Sequence, residues 1–223
     1  MQHNYGVPVE ELVARFKKLY SGIVADAMDR KGLRNQLLPS YLRPLTDDTI
    51  VAGPAFTGQG MPVDDSTYND NDIRFAMLES IKPYDIAVWA TGNSGVCAHW
   101  GGLMTRSTRQ AGGAGAIIDG GIRDVKDIIE QDFPVFYKFY SCGSSIGRWA
   151  IKSYQEPIDL GGVHILPGDF VFGDIDGVVT IPRDRVVEIL QLAEDMFNKE
   201  NLMGADMIDG MRIRDAYAKY GTI

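Results

Sequence analysis

Histidine and cysteine are scarce, with 3 His and 2 Cys in 223 residues. Two thiols, Cys97 and Cys142, are too few for a disulfide framework, and both are expected free, as in a reducing cytoplasmic compartment. Cys97-Ala98-His99 has no second pair at the spacing a tetrahedral zinc site needs. Blocks of like charge are also missing. The 22 Lys and Arg against 30 Asp and Glu leave a net charge of −8, which excludes the electrostatic footprint of a nucleic-acid backbone or an anionic membrane. The one long uncharged stretch, Ile86 to Thr105, is interrupted by Gly92, Asn93, Ser94, Gly95, His99, Gly101 and Gly102, so it is no bilayer span. Met1 to Glu10 lacks the basic region and apolar core of a signal peptide. With no internal repeat, low-complexity tract or Pro/Ser linker, residues 1–223 are expected to form one domain. A chain of this length buries roughly 70% of its extended surface without staples.

What is present is an alternation of helical and strand patterns. Val9, Leu12, Val13, Phe16 and Leu19 have helical spacing and Ser21 opens a second helix, giving N-terminal helices over about 9–30. Ile50 to Gly60 is rich in β-formers, Ile73 to Ile81 reads as a helix ended by Pro83, and Ile86 to Ala90 as a buried strand. The pair Gly101-Gly102 precedes a helix over Leu103 to Ala111, closed by Gly112-Gly113 before the strand Ala116 to Ile118. The order helix, glycines, strand is the reverse of a dinucleotide fingerprint. A helix from about Val125 to Gln131 and an aromatic strand, Val135 to Phe139, follow. From Pro157 to Pro182, short β runs and turns predict a second, antiparallel β element. Val186, Leu190, Ala193 and Phe197 line one face of a long helix over about 183–201. The fold class is α/β.

Two segments carry chemistry. Asp119-Gly-Gly-Ile-Arg123-Asp124-Val-Lys-Asp127 places an arginine and two carboxylates between a buried strand and a helix, where ligand clefts form. The plain alternative is that Asp124 caps the helix and Asp127 completes a capping box. In Trp100-Gly101-Gly102-Leu103-Met104, a glycine pair opening a helix presents backbone N–H groups to a carboxylate or phosphate. Equally, the glycines serve tight packing. Beside an arginine that grips carboxylates and an aspartate suited to a hard divalent cation, this anion seat suits a small 2-oxo acid.

Gly102, twenty residues, Arg123-Asp124, two residues and Asp127 together resemble the signature of the class II pyruvate aldolases. These are the 4-hydroxy-4-methyl-2-oxoglutarate / 4-carboxy-4-hydroxy-2-oxoadipate aldolases, which share a fold with regulator of ribonuclease activity A. Ala111-Gly112, Gly115, Asp119-Gly120, Phe133-Pro-Val-Phe136 and Gly173-Asp-Ile-Asp-Gly-Val-Val179 agree, so the similarity runs from about Ser21 to Glu200. The resemblance implies a swivelling β/β/α three-layer domain assembled as a homotrimer or homohexamer with sites between subunits. It implies that Asp124 ligates Mg²⁺ or Mn²⁺, that Arg123 contacts substrate and that the amides after Gly102, those of Leu103 and Met104, hold the pyruvyl carboxylate. Glu200 matches by position a glutamate that a neighbouring subunit's C-terminal helix contributes to the metal waters. The implied activity is a metal-dependent lyase that cleaves a 4-hydroxy-2-oxo (di)acid to pyruvate, with decarboxylation of oxaloacetate as a related reaction. The alternative is a non-catalytic protein-binding regulator like regulator of ribonuclease activity A.

Two departures from the family pattern stand out. Many members have an acidic residue directly after the first glycine of the anion loop, where this chain has Gly102, which implies a lost anchor for the metal waters. Phe136-Tyr-Lys-Phe-Tyr-Ser-Cys-Gly143 is bulky where relatives turn at a small loop, which implies a different surrounding for the substrate's variable end. Other candidates carry less. His99, beside Trp100, reads as a packed residue. Asp70-Asn71-Asp72 lacks the glycine and the terminal acid of a calcium loop and reads as cap chemistry. Ser144-Ser145 has no histidine partner for a nucleophile.

Overall fold

A computed structural model describes residues 4–65, 67–68 and 70–221; Met1, Gln2 and His3 of the N-terminal stretch lie outside them. In chain order the elements are α1 (Val9–Phe16), α2 (Ser21–Arg30), β1 (Arg43–Pro44), β2 (Val51–Pro62), α3 (Asn71–Glu79), β3 (Ile86–Ala90), β4 (Ala98–Trp100), α4 (Gly102–Gln110), β5 (Gly115–Ile122) and α5 (Val125–Glu130). There follow β6 (Val135–Tyr140), β7 (Trp149–Tyr154), β8 (Ile158–Leu160), β9 (Val163–Ile165), β10 (Phe170–Asp174), β11 (Gly177–Ile181), α6 (Val186–Ile208) and α7 (Ile213–Tyr220).

Nine strands form one curved sheet in the order β1-β6-β5-β3-β2-β10-β11, with β4 beside β5 and β7 beside β2. The pairs β2·β3, β3·β5, β5·β6 and β4·β5 are parallel, and the rest are antiparallel. The parallel centre explains the unbroken apolar runs, because β3 and β5 are buried along their whole length. Alternation assigns each face. Val51, Ala55, Ile86, Val88, Ile117, Phe136, Val171 and Val178 turn to the concave side, where the β8–β9 hairpin supplies Ile158, Leu160, Val163 and Ile165. On the other face, α1, α2 and α6 cover Ala52, Phe170, Phe172, Val179 and Ile181, while Phe56, Ala87, Trp89, Ala116 and Ile118 pack among residues from α3 and α5. Hairpin, sheet and helices are thus the three layers of a β/β/α domain.

The region 157–182 differs from the expectation of a separate antiparallel element. Only β8 and β9 stand apart; β10 and β11 extend the main sheet through β2. The 12 residues of β2 make this possible, since Val51–Pro54 pair with β10, Ala55–Gln59 with β3, and Gly58–Pro62 with β7 across a bulge at Gln59/Gly60. Helix α6 runs to Ile208, past the expected end near Asn201, because Met203 continues its buried stripe and that packing carries the helix through Gly204. Helix α7 then returns, with Lys219 and Tyr220 donating to Asp206 at 2.7 and 2.6 Å.

Candidate active site

Two strand–helix junctions lie side by side because β4 runs parallel to β5, with Ala98 opposite Gly121 and Trp100 opposite Ile122. After β4 the chain passes through Gly101 into α4, and after β5 through Arg123 and Asp124 into α5. The Arg123 N–H donates to the Trp100 carbonyl at 3.0 Å, locking the junctions together. Helix α4 has no side-chain cap and its first internal bond is from Thr105 N–H to the Gly101 carbonyl, so the first-turn donors are Gly102, Leu103 and Met104. Gly102 N–H is spent on Asp124 Oδ2 at 3.2 Å. The Leu103 and Met104 amides have no acceptor among the described residues.

Both readings of the glycine pair therefore hold, for different atoms. Gly101 is extended, at φ −164°, so backbone strain does not demand a glycine there. What the glycines leave is room for carboxylate ends: a Cβ on Gly101 would stand 2.7 Å from Asp124 Oδ2, and one on Gly102 would stand 2.0 Å from Asp127 Oδ2, so an added methyl requires those side chains to shift. Asp124 occupies the N-cap position of α5 at φ 57° but makes no capping bond, and its carboxylate reaches across to α4 instead. Asp127 accepts from Arg106 at 2.7 Å rather than closing a capping box. This chain keeps the space at Gly102 for Asp127.

Arg123 lies with Nε 3.7 Å from Asp124 Oδ2, both side chains about half exposed. They face a cavity of about 610 Å³ whose walls include Leu103, Met104, Arg123 and Asp124 from the two junctions, Asp70 and Arg74 from the start of α3, and Ser144–Ile146. His99 also borders it. As expected, His99 is a packed residue: its Nδ1 accepts from Gly121 N–H at 3.0 Å, which places the ring proton on Nε2, facing Cys97 Sγ at 3.6 Å. Burial lowers its pKa to about 4, so the imidazole is neutral at pH 7. Both cysteines are free.

Arg74 and Asp70 were not singled out as site residues from the sequence. Asp70 stands at the N-cap of α3 without capping it; one oxygen accepts from Ile151 N–H at 2.9 Å and both hold Arg74 Nη2 at 2.9 Å. Their i,i+4 spacing was the available signal. The bulky segment Phe136–Gly143 takes a place other than the expected one. It runs down β6, with Tyr137 stacked on Tyr140 and Lys138 paired to Asp119 at 3.4 Å, and contributes nothing to the cavity wall. Beyond the two junctions, the cavity wall includes residues of α3 and Ser144–Ile146 instead.

Among the described residues, no group of three or more His, Cys, Asp or Glu is placed to hold a metal ion. The donor set is the single carboxylate of Asp124. That does not suit zinc, but it fits Mg²⁺ or Mn²⁺, which bind through one or two carboxylates, with waters and substrate oxygens completing the shell. Glu200 is absent from the cavity wall; on α6 it accepts a short hydrogen bond from the Tyr20 hydroxyl of the same chain.

Two first-turn amides of α4, an arginine and an aspartate at adjoining strand ends of a three-layer α/β domain make up the candidate site. Residues 22–180 match the model of the RraA-like family described as Aldolase/RraA, and the chain belongs to that family. It is 32% identical over 184 residues to a Halalkalibacterium halodurans protein named "Putative 4-hydroxy-4-methyl-2-oxoglutarate aldolase", covering 82% of each. It is 31% identical over 172 residues to protein DlpA of Legionella pneumophila, covering 76% of this chain but only 27% of that one. Among solved structures, Streptomyces coelicolor RraAS2, titled an unusual member of the RNase ES inhibitor RraA protein family, superposes with a TM-score of 0.76 at 30% identity, over 87% of this chain and 96% of that one. Another, titled as novel cellulases from gut-associated microbes, has a TM-score of 0.86 at 36% identity over 90% of each chain.

Proposed function

We propose that the protein is a carbon–carbon lyase that releases pyruvate from a small 4-hydroxy-2-oxo (di)acid by retro-aldol cleavage and acts on oxaloacetate as a decarboxylase. The observation that carries this is the meeting, in one cavity, of two unspent helix-first-turn amides with the Arg123–Asp124 pair. The Leu103 and Met104 amides bind the substrate's carboxylate, aided by the positive end of α4. This orients the adjacent keto oxygen toward Arg123. When C3–C4 breaks, its electron pair moves into the pyruvyl unit and charge builds on that oxygen, where the guanidinium stabilises it. The 4-hydroxyl proton leaves to a water held at Arg123 as C4 becomes a carbonyl, and the same water returns a proton to C3 of the enolate to give pyruvate. Asp124 holds Arg123 in place and is the residue that would hold Mg²⁺ or Mn²⁺. Such an ion supplies Lewis-acid polarisation of the keto oxygen. No Schiff-base lysine is needed.

Glycoside hydrolysis, which one neighbour's title suggests, requires two facing carboxyl groups, one acid and one base or nucleophile. Here the second carboxylate at the cavity, Asp70, is committed to Arg74 and Ile151. Pyruvate release from 4-hydroxy-4-methyl-2-oxoglutarate and from oxaloacetate, followed through lactate dehydrogenase with Mg²⁺, Mn²⁺ or EDTA, tests the proposal. Metal-dependent turnover should fall about 10² to 10³-fold in Asp124→Ala and in Arg123→Ala. A folded protein without turnover on either substrate, and without a rise in Tm from Mg²⁺ plus pyruvate, refutes it in favour of a non-catalytic regulator.

A further inference from the structure

We infer that Arg74 is the specificity-determining residue of the cavity, binding a second carboxylate at the substrate end remote from the 2-oxo acid group, so that the site prefers 2-oxo diacids. This rests on the site reading above. The argument begins with the donors of the guanidinium. Arg74 Nη2 is held by both oxygens of Asp70 at 2.9 Å and lies 3.4 Å from Ser145 Oγ. Nη1 has only the Met104 sulfur at 4.0 Å, a weak acceptor, and Nε has no acceptor among the described residues. An arginine whose side chain is only 16% exposed thus keeps donors in hand while bordering a cavity.

Its position is fixed in advance. Asp70 is itself tied to Ile151 N–H on β7, so the ion pair is anchored to the sheet rather than floating at the end of α3. A fork held this way loses little freedom when it accepts a ligand. The contact with Met104 also sets the reach. The Met104 amide belongs to the carboxylate seat and its sulfur touches Arg74, so one methionine side chain separates the two anion-binding groups. That is the span of a short diacid. The Ser144 and Ser145 hydroxyls flank the same wall and suit carboxylate oxygens.

The test compares 2-oxoglutarate with 2-oxopentanoate, which differ only in the terminal carboxylate, using calorimetric binding in the presence of Mg²⁺ with pyruvate as the reference ligand. The wild-type protein should prefer the diacid by about 10- to 100-fold, the worth of a hydrogen bond to a charged group. In Arg74→Met the preference should vanish while pyruvate binds as before. The double variant Arg74→Met/Asp70→Asn leaves no buried unpaired charge and should give the same result if the single variant fails to fold. A strut that only braces α3 would change stability without changing the ratio of the two affinities. An unchanged diacid preference in the variants, or none in the wild type, overturns the inference while the lyase reading stands. Failure of pyruvate itself to bind removes the lyase reading and this inference with it.

Discussion

The geometry around Asp124 rests on residues that take no part in the proposed chemistry. His99 is one, since its Nδ1 accepts the Gly121 amide where β5 turns toward Arg123. Because its pKa falls from 6.5 to about 4 on folding, the unfolded chain binds more protons between those values, and stability must rise with pH across that window. Acidifying from pH 6.5 to 4 should therefore cost up to about 3 kcal/mol from this residue. Urea unfolding of wild type against His99→Gln, followed over that range, checks this: the slope should flatten in the variant, and equal slopes would remove His99 as its source. Gly102 gives a second test. An added methyl meets Asp127 Oδ2 at 2.0 Å, but that oxygen ends a flexible, partly exposed side chain whose bond to Arg106 is a surface pair. Gly102→Ala should thus cost no more than about 1 kcal/mol, and a loss several times larger in urea unfolding would show that Asp127 cannot move aside. The Arg123-Asp124 pair and the glycines were singled out through their resemblance to a family signature, since residue types alone left the capping and packing readings open, and the structure brings them to adjoining strand ends. Arg74 was not, because an Asp and an Arg four apart look like any helix-surface pair until the cavity is seen behind them.

At the scale of elements, β3, β5 and α1 to α5 could be read from periodicity, since each is decided by local burial. The strands that sequence placed in a second element could not, because partner choice is a property of β2. Nothing in Val51–Pro62 announces that it serves three neighbours in turn; the marks are Pro54, where pairing changes from β10 to β3, and Gly60 at the bulge. Gly60 is indispensable for contact rather than for conformation. A Cβ there would lie 2.0 Å from Trp149 Cζ2 and 2.4 Å from the Ala150 carbonyl, on a strand with no freedom to withdraw. Gly60→Ala should lower stability by about 1–3 kcal/mol through overpacking, and should reduce the proposed lyase activity because Trp149 lines the cavity. Unchanged denaturant midpoint and activity would show that β7 is looser than this packing implies. Helix α7 escaped the sequence reading because its apolar stripe, Ile213, Ala216, Tyr217 and Tyr220, spans only eight residues interleaved with charged ones, and only Ala216 of it is buried.

At the scale of the whole molecule, one chain supplies an incomplete shell for the proposed cation, since Asp124 would stand alone as its ligand and Glu200 lies elsewhere. The surface is acidic overall, yet Leu103 and Ile146 at the cavity rim are 81% and 69% exposed, and Ile208 near the end of α6 is 87% exposed. A proposed ring of three or six copies would bury such side chains and bring the α6 of one copy toward the cavity of the next. Light scattering should then give three or six times the chain mass of 24.6 kDa. Glu200→Gln should weaken the rise in Tm produced by Mg²⁺ while leaving the assembly intact, because the carboxylate would act on the cation's waters and not on the interface. The intrachain bond from Tyr20 competes for the same carboxylate. Tyr20→Phe should accordingly release Glu200 and increase the Mg²⁺ effect. A monomer in solution, or a Mg²⁺ response indifferent to both substitutions, would confine the metal site to Asp124 and the substrate.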